Sequence, residues 1–127
     1  MVRKWINDSF DAENKIPGNI NVIFCNDDYL QKMNFQYLKH ETLTDIITFD
    51  YSDLVSISGD LFISIDRVKD NAKLFNKTLT EELHRVIIHG ILHLCGYNDK
   101  TKKEKIVMTE KENFYLGRRP DELQKSS

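Results

Sequence analysis

The sequence predicts a single α+β domain with an α/β layered arrangement, in which a small mixed sheet of about three to four strands packs against four to five helices. Three segments alternate apolar with polar residues or are rich in β-branched and aromatic residues, as strands are. Five others carry helical spacing of apolar residues or helix-capping signals. The chain has 127 residues, of which 40% are hydrophobic, so residues 1–127 can bury one core without disulfides.

The first part of the chain predicts a helix, a strand and a second helix. Apolar residues at helical spacing mark the first helix, and Pro17-Gly18 ends it. Alternating residues mark the strand, and Asn26 is a suitable N-cap for the helix that follows. The expected ranges are Val2 to about Asn14, Asn19 to Cys25, and Asp27 to about Leu38.

The rest of the chain predicts two strands and three helices. The short connector Ser52-Asp53 suits a hairpin between the strands, and Asp66 can cap the helix after them. Thr78 and Glu81 match a capping box, and Gly96 can end that helix in a left-handed conformation. The expected strands are Thr44 to Tyr51 and Val55 to Ile65. The expected helices are one that Asp66 caps and that runs to about Phe75, one from Thr78 to about Cys95, and one from about Lys102 to Leu116. The tail from about residue 118 is expected to be flexible.

Composition argues against several locations and partners. No segment approaches the ~20 apolar residues of a membrane span, and the N-terminus lacks the apolar core of a signal peptide. Cys25 and Cys95 each lie in an apolar run, as buried thiols in a reducing compartment do, with a disulfide between them as the alternative. The net charge of −2 does not favour general nucleic-acid binding. We expect a cytoplasmic protein without a membrane or DNA partner.

One stretch of the sequence carries the residues of a metal site. His89 and His93 are four residues apart on a predicted helix, so both imidazoles face the same side. Gly96 allows the chain to reverse, and Asp99 can then return to the same point. Two nitrogens and one carboxylate oxygen leave a fourth position for water, as in catalytic zinc sites. The sequence therefore predicts one Zn²⁺ per chain, held by His89, His93 and Asp99.

The alternative is that the two histidines are core residues and that Asp99 caps the last helix. The helix around them is apolar on almost every side, and two buried imidazoles without a common partner are costly. This cost favours the metal site. His84 lies five residues before His89 and points away from the same face, so its role is either structural or in support of the ligands.

The residue after the first histidine separates this site from that of zinc peptidases. Those enzymes carry a glutamate there as general base, whereas this chain has Gly90. The missing side chain is expected to leave room beside the metal for a bulky group. The sequence therefore favours a substrate other than a peptide.

The motif and its flanking segments resemble the YbeY family. His89–Asp99 is similar to the family's His-Gly-x-Leu-His-Leu-x-Gly-Tyr-Asp-His signature. Thr44–Phe49 resembles its Thr-[Asn/Asp]-Val-Leu-Ser-Phe strand, and Gly59–Ser64 resembles its Gly-Asp-Ile-x-Ile-Ser strand. Met108 and Glu112 fit its last helix. The resemblance implies a bacterial metal-dependent endoribonuclease that acts in ribosomal RNA maturation, at the 3′ end of 16S rRNA, and in ribosome quality control, with the small ribosomal subunit as its partner.

The sequence departs from the family's pattern in two places. Asn98 and Asp99 stand where the family has Asp and His, so an aspartate replaces the third histidine ligand. Leu38 stands where the family often carries an arginine held to matter for activity, and Lys39 could stand in for it. Beyond water at the open metal position, Lys39 and His84 are the candidate catalytic groups.

RNA binding by an acidic chain requires a local basic surface. The candidates are Lys100, Lys102, Lys103 and Lys105, which follow the ligands, and Arg67, Lys69 and Lys73, on the helix after Ser64. Either cluster could instead be a solvated helix face. The first hypothesis is a zinc-dependent endoribonuclease. The alternatives are a ribosome assembly or binding factor with a mainly structural metal, and a zinc hydrolase of another class.

Overall fold

The computed structural model describes residues 2–38 and 44–124. Over these ranges the helices and strands lie close to those that the sequence predicts. None of the helices there is long and apolar enough to cross a membrane. In chain order the elements are α1 (Val2–Ala12), β1 (Pro17–Cys25), α2 (Asp27–Leu38), β2 (Ile46–Asp50), β3 (Ile57–Ser64), α3 (Ile65–Leu74), α4 (Leu79–Leu94), α5 (Lys102–Gly117) and α6 (Asp121–Gln124).

The sheet has the order β1-β3-β2, so β3 is its central strand. It runs parallel to β1 and antiparallel to β2, with Leu61 opposite Val22 on one side and opposite Thr48 on the other. A parallel pair requires a long crossover, which α2 and β2 supply, whereas the antiparallel pair needs only a short connection. The structure therefore confirms the small mixed sheet and the hairpin between its last two strands.

Helices cover both faces of this sheet. On the face toward α4, Leu61 and Ile63 of β3 are fully buried, and they alternate with Phe62, which points to the other face. On that other face, α2 contributes Tyr37, whose ring packs edge to face on Phe49 at 5.9 Å between centroids, and Phe49 packs on Phe62 at 5.8 Å. This order of layers is the α+β arrangement that the sequence predicts.

Glycines allow α4 to lie directly on the sheet. A Cβ atom at Gly90 would lie 2.8 Å from Ile46 Cδ1 and 2.9 Å from Leu61 Cδ2, closer than carbon atoms normally approach. A Cβ atom at Gly59 of β3 would lie 2.8 Å from Leu94 Cδ2 of α4, and 2.5 Å from the Phe49 carbonyl oxygen of β2. Both positions therefore require glycine. The helix that carries the two predicted histidine ligands is thereby packed closely against the central strand.

Capping boxes fix where α4 and α5 begin. Thr78 Oγ1 accepts a hydrogen bond from the Glu81 N–H at 3.1 Å, and the Glu81 carboxylate accepts one from the Thr78 N–H at 3.1 Å. This is the capping box that the sequence predicts. Thr101 and Glu104 form a second one at α5, which places the start of α5 directly after the loop that carries Asp99.

Two local features differ from the expectation. The N-cap of α3 is Ser64 rather than Asp66, because the Ser64 backbone is extended and its hydroxyl accepts a hydrogen bond from the Arg67 N–H at 3.3 Å. Within the tail expected to be flexible, residues 121–124 form α6 and Leu123 is buried against the core, whereas residues 125–127 lie outside the described residues. Removing this leucine from water stabilises the short helix.

Both cysteines are free thiols, as the sequence predicts, and they form no disulfide. Cys95 is the C-cap residue of α4, and burial raises the pKa of its thiol to about 11. Burial also raises the pKa of Cys25, and the nearby Asp27 adds to this effect. Neither thiol therefore has the lowered pKa of a catalytic cysteine.

We expect Gly90→Leu to lower the free energy of unfolding by about 1–3 kcal/mol, because a side chain there must displace Ile46 and Leu61. Gly117→Leu is the matched control, since Gly117 is also helical but a Cβ atom there has open space around it. Chemical denaturation measures both variants. Equal stability of the two would contradict the close contact between α4 and the sheet.

Candidate metal centre

The C-terminal half of α4 places two imidazoles beside the loop that follows it. His89 Nε2 and His93 Nε2 lie 3.0 Å apart. Asp99 Oδ2 lies 3.2 Å from the first and 3.5 Å from the second. These are the three ligands that the sequence predicts, and in the part of the chain that the structure describes they form a group able to hold a metal ion.

The spacing of the three ligand atoms fits a bound ion. Ligand atoms about 2.0–2.2 Å from a tetrahedral zinc ion lie about 3.3–3.5 Å from one another. The observed separations of 3.0, 3.2 and 3.5 Å therefore match one face of such a tetrahedron. Side-chain exposures of 24% to 37% leave this group accessible from solvent.

The other ring nitrogen of each histidine is engaged away from this point. His93 Nδ1 lies 2.9 Å from the carbonyl oxygen of Tyr97, which only accepts hydrogen bonds, so Nδ1 carries the proton. His89 Nδ1 lies 2.6 Å from Glu112 Oε2, which assigns its proton in the same way. Each Nε2 is therefore the ring atom that faces the Asp99 carboxylate and that offers a lone pair to a metal ion when the imidazole is neutral. Hydrogen bonds of this kind orient histidines that bind metals.

Gly96 reverses the chain between the second and third ligands. Its φ of 105° lies in the left-handed region that favours glycine. The Tyr97 N–H then donates to the Leu92 carbonyl at 3.0 Å, which closes the helix end. The structure thus confirms the turn at Gly96 by which Asp99 returns to the two histidines.

Glu112 links the metal centre to α5 and to Arg85. It is 7% exposed, and the oxygen that does not contact His89 accepts a hydrogen bond from Arg85 Nη1 at 2.7 Å. Burial alone would lower the pKa of His89, but the Glu112 carboxylate and others nearby raise it. Arg85 balances the charge of the buried carboxylate, and it also donates to Asn113 Oδ1 at 2.6 Å.

The spacing of residues along the sequence could not reveal the contact between His89 and Glu112. Glu112 fits the family's pattern in the last helix, but it follows His89 by 23 residues and lies on another element. A carboxylate partner for a metal-binding histidine is a general expectation, yet the chain offers many carboxylates. Asp45 is a second group that sequence reasoning missed: burial raises its pKa, and its charge acts on His89.

The other candidate catalytic residues lie elsewhere. His84 is 4% exposed, its Nδ1 lies 3.0 Å from Arg119 Nη1, and its ring lies 5.5 Å from that of Trp5. Burial and then the Arg119 charge lower its pKa. This environment is that of a core residue and argues against a catalytic role. Leu38 is exposed at the end of α2, and Lys39 lies outside the described residues.

Gly90 does not open space beside the ligands. The position of its missing Cβ faces Ile46 and Leu61 of the sheet. The expectation that this glycine makes room for a bulky substrate is therefore wrong, and its role is in helix packing. A glutamate there would first collide with the sheet, so packing as well as sequence disfavours the peptidase arrangement.

The lysines that follow the ligands are all exposed: Lys100, Lys102, Lys103 and Lys105. Lys105 precedes Glu112 by seven residues, or two helical turns, and so lies on the same side of α5. Lys103 precedes it by nine residues and lies on the opposite side. The four lysines therefore do not form one surface.

Arg67 is engaged within the fold. Its Nε donates to Asp27 Oδ1 at 3.1 Å, and its Nη2 pairs with Asp70. Asp27 also accepts a hydrogen bond from the Ser64 hydroxyl at 2.7 Å. Because two carboxylates already balance the guanidinium, the structure argues against the RNA contact expected of Arg67.

A protein-family model described as Endoribonuclease YbeY matches residues 1–119, which include all three ligands. The chain belongs to the YbeY family. The match covers every element up to the end of α5, so the family resemblance seen in the motif extends through the fold.

YbeY relatives span most of the chain. An Endoribonuclease YbeY of Flavobacterium johnsoniae is 53% identical over 109 residues, which cover 86% of this chain and 78% of the relative. One of Parabacteroides distasonis is 51% identical over 121 residues, which cover 95% and 85%. The solution structure of TM1509 from Thermotoga maritima is similar with a TM-score of 0.63 and 31% identity, over 98% of this chain and 86% of that one. This likeness supports the α+β fold.

Substitutions of residues that contact metal ligands typically weaken metal binding about 10–100-fold. We expect a larger loss of Zn²⁺ affinity in Asp99→Ala, because this change removes a ligand oxygen. Asn98→Ala should leave binding nearly intact, since Asn98 is exposed and contacts Glu104 instead. Asp99→His should retain binding, because it restores the ligand of the family signature. Competition with a chelator measures all three, and a larger effect of Asn98→Ala would show that the turn after Gly96 is wrongly placed.

Proposed function

We propose that this chain is a zinc-dependent endoribonuclease that hydrolyses phosphodiester bonds of ribosomal RNA. The observation that carries the proposal is the group of His89, His93 and Asp99, whose ligand atoms converge at a point accessible from solvent. Membership of a family whose relatives are named endoribonucleases supports the reaction class.

Zinc is the ion that this donor set favours. Two imidazole nitrogens and one carboxylate oxygen form the three-ligand arrangement of catalytic zinc sites, whereas magnesium prefers oxygen ligands. When bound, zinc supplies a Lewis acid for a phosphate oxygen and lowers the pKa of a water molecule. The chain's own residues hold the ion and fix the orientation of its ligands, with Glu112 and the Tyr97 carbonyl on the far sides of the two imidazoles.

A groove of about 680 Å³ between α4 and α5 adjoins the metal centre. Glu112 lines it and also contacts His89, so the groove and the centre share this side chain. Single-stranded RNA is bound by cations that meet its phosphates and by aromatic rings that stack on its bases. Both kinds of group line the groove, namely Lys77, Arg119 and the exposed Phe75. Arg85 lines it too, but Glu112 already balances its charge, and glutamates make the charge of the groove mixed. We propose that this groove binds the segment of RNA next to the scissile bond.

The 3′ end of 16S rRNA is the substrate that we propose, with the small ribosomal subunit as partner and ribosome quality control as the wider role. The similarity of His89–Asp99 to the family signature supports this step. The two free thiols support the cytoplasm as the compartment.

A second candidate function is ribosome assembly or binding, with a metal that is mainly structural. Leu38, where the family often carries an arginine, favours it. Structural zinc sites, however, are closed by four protein ligands, and the described residues bring three to this point. A zinc hydrolase of another class is disfavoured by Gly90, which leaves the peptidase base position empty.

A cleavage assay on 16S rRNA precursors tests the proposal. Wild-type protein with zinc should cleave, a chelator should stop cleavage, and His93→Ala should reduce the rate at least about 100-fold, or about 2.7 kcal/mol. His84→Asn is the matched control, because it alters a histidine of the same helix that faces Trp5 and Arg119. It should cleave like wild type at a temperature where both are folded. Zinc binding and ribosome binding without cleavage would favour the assembly factor.

We propose that the RNA surface continues beyond the groove to Lys105, which does not line the groove but lies on the Glu112 side of α5. Lys105→Glu should weaken RNA binding and reduce the slope of log affinity against log salt by about one, because a phosphate contact that releases a counterion is lost. Lys103→Glu carries the same charge change on the opposite side of α5 and should change neither. Filter binding at several salt concentrations measures both. Equal losses would indicate a general charge effect and would remove Lys105 from the RNA surface.

A further inference from the structure

A carboxylate near the start of the chain reaches the loop that carries Asp99. Glu13 lies in the turn after α1, and its side chain is 10% exposed. The Tyr97 hydroxyl donates to Glu13 Oε1 at 2.6 Å. The Tyr115 hydroxyl and Lys111 Nζ both donate to Oε2, the latter at 3.2 Å. Burial alone would raise the pKa of Glu13, but the three hydrogen bonds lower it, so the group is a carboxylate at neutral pH.

Tyr97 connects this carboxylate to the metal ligands. Its carbonyl oxygen is the acceptor that orients His93, at 2.9 Å from Nδ1. Its N–H is bonded to the Leu92 carbonyl at 3.0 Å, and Asp99 follows two residues later. The residue that Glu13 holds by its phenol is therefore the one whose backbone fixes the second ligand and leads to the third.

The ligand loop has no regular structure of its own. Residues 97–99 belong to neither a helix nor a strand, and Asn98 is exposed. A loop of this kind opens at low free-energy cost unless side-chain contacts hold it. A metal ligand must be held within about 0.5 Å of its binding position. The hydrogen bond between Tyr97 and Glu13 therefore affects how precisely the metal ligands are held.

We propose that Glu13 is a positioning residue for the metal centre, which it orders by holding the Tyr97 phenol. This fixes the Tyr97 carbonyl against His93 and the Asp99 carboxylate against both imidazoles. The inference rests on the metal site of the proposed function and extends it to a residue 84 positions before Tyr97. It gives the turn after α1 a part in metal binding.

Tyr115 provides the comparison with a role in stability alone. It donates to the same carboxylate but lies on α5, where its carbonyl accepts a hydrogen bond from Trp5 Nε1 at 2.8 Å. Tyr97→Phe and Tyr115→Phe each remove one hydroxyl from Glu13. The first hydroxyl belongs to the ligand loop and the second to the core. A stabilising role predicts similar effects of the two, whereas a positioning role predicts different ones.

The experiment measures the Zn²⁺ dissociation constant by chelator competition, with the visible spectrum of Co²⁺ in the site as a second readout. Tyr97→Phe should raise the dissociation constant about 10-fold and change the Co²⁺ spectrum, whereas Tyr115→Phe should leave the constant within about twofold and lower only the melting temperature. Glu13→Gln retains one acceptor oxygen and should raise the constant less than Glu13→Ala. In the double variant Glu13→Gln/Tyr97→Phe the two effects should be less than additive, because both act through one contact.

The possible failures can be told apart. Unchanged zinc affinity in Tyr97→Phe, or equal losses in Tyr97→Phe and Tyr115→Phe, would overturn the positioning role while the metal centre stands. A wild-type protein that binds neither Zn²⁺ nor Co²⁺ when supplied would overturn the metal centre, and the positioning role with it. Should Glu13→Ala fail to fold, the two tyrosine variants alone decide the question, since each removes a single hydroxyl.

Discussion

Three electron-pair donors, two imidazole nitrogens and one carboxylate oxygen, meet within 3.0 to 3.5 Å of one another. Because each Nδ1 is bonded to an acceptor, each Nε2 is the ring atom left to bind a metal ion. Three such groups are stable together when a positive charge lies among them, either a metal ion or a proton on an imidazole, which the raised pKa of His89 favours. The surrounding contacts hold the three groups at this spacing, whichever positive charge lies among them.

The helix α4 fixes the positions of two of the three groups. Its start is fixed by the capping box at Thr78, and its centre is fixed by Gly90, which brings its backbone onto the sheet. His89 and His93 lie one turn apart on either side of Gly90, so the helix itself sets the distance between them. The partners that orient their rings come from other elements: Glu112 lies on α5, and the Tyr97 carbonyl lies on the loop. Regular structure thus sets the spacing, and tertiary contacts set the direction of each ring.

This division explains what the sequence could predict. The ligands His89, His93 and Asp99 follow from helical periodicity and one glycine turn, which are local properties. The contacts of Glu112 and Glu13 depend on how α5 and α1 pack, and no local pattern selects them among the 20 acidic residues of the chain. The interpretation of Gly90 failed for the same reason. A glycine beside a ligand is compatible with open space or with close packing, and only the position of the sheet distinguishes the two.

The charge around the metal centre follows from Asp99. A divalent ion held by two neutral imidazoles and a carboxylate would retain one formal positive charge, whereas a third neutral histidine would leave two. The chain also has Leu38 where the family often carries an arginine. Both changes reduce the attraction for RNA phosphates, and Arg85 is already partly balanced by Glu112 at 2.7 Å. Binding of a polyanion by a chain of net charge −2 must then depend on cations outside the ligand set, and of these Lys105 lies on the Glu112 side of α5. Because Asp99 lowers the positive charge at the metal, the basic side chains around the centre must supply more of the attraction for RNA phosphates.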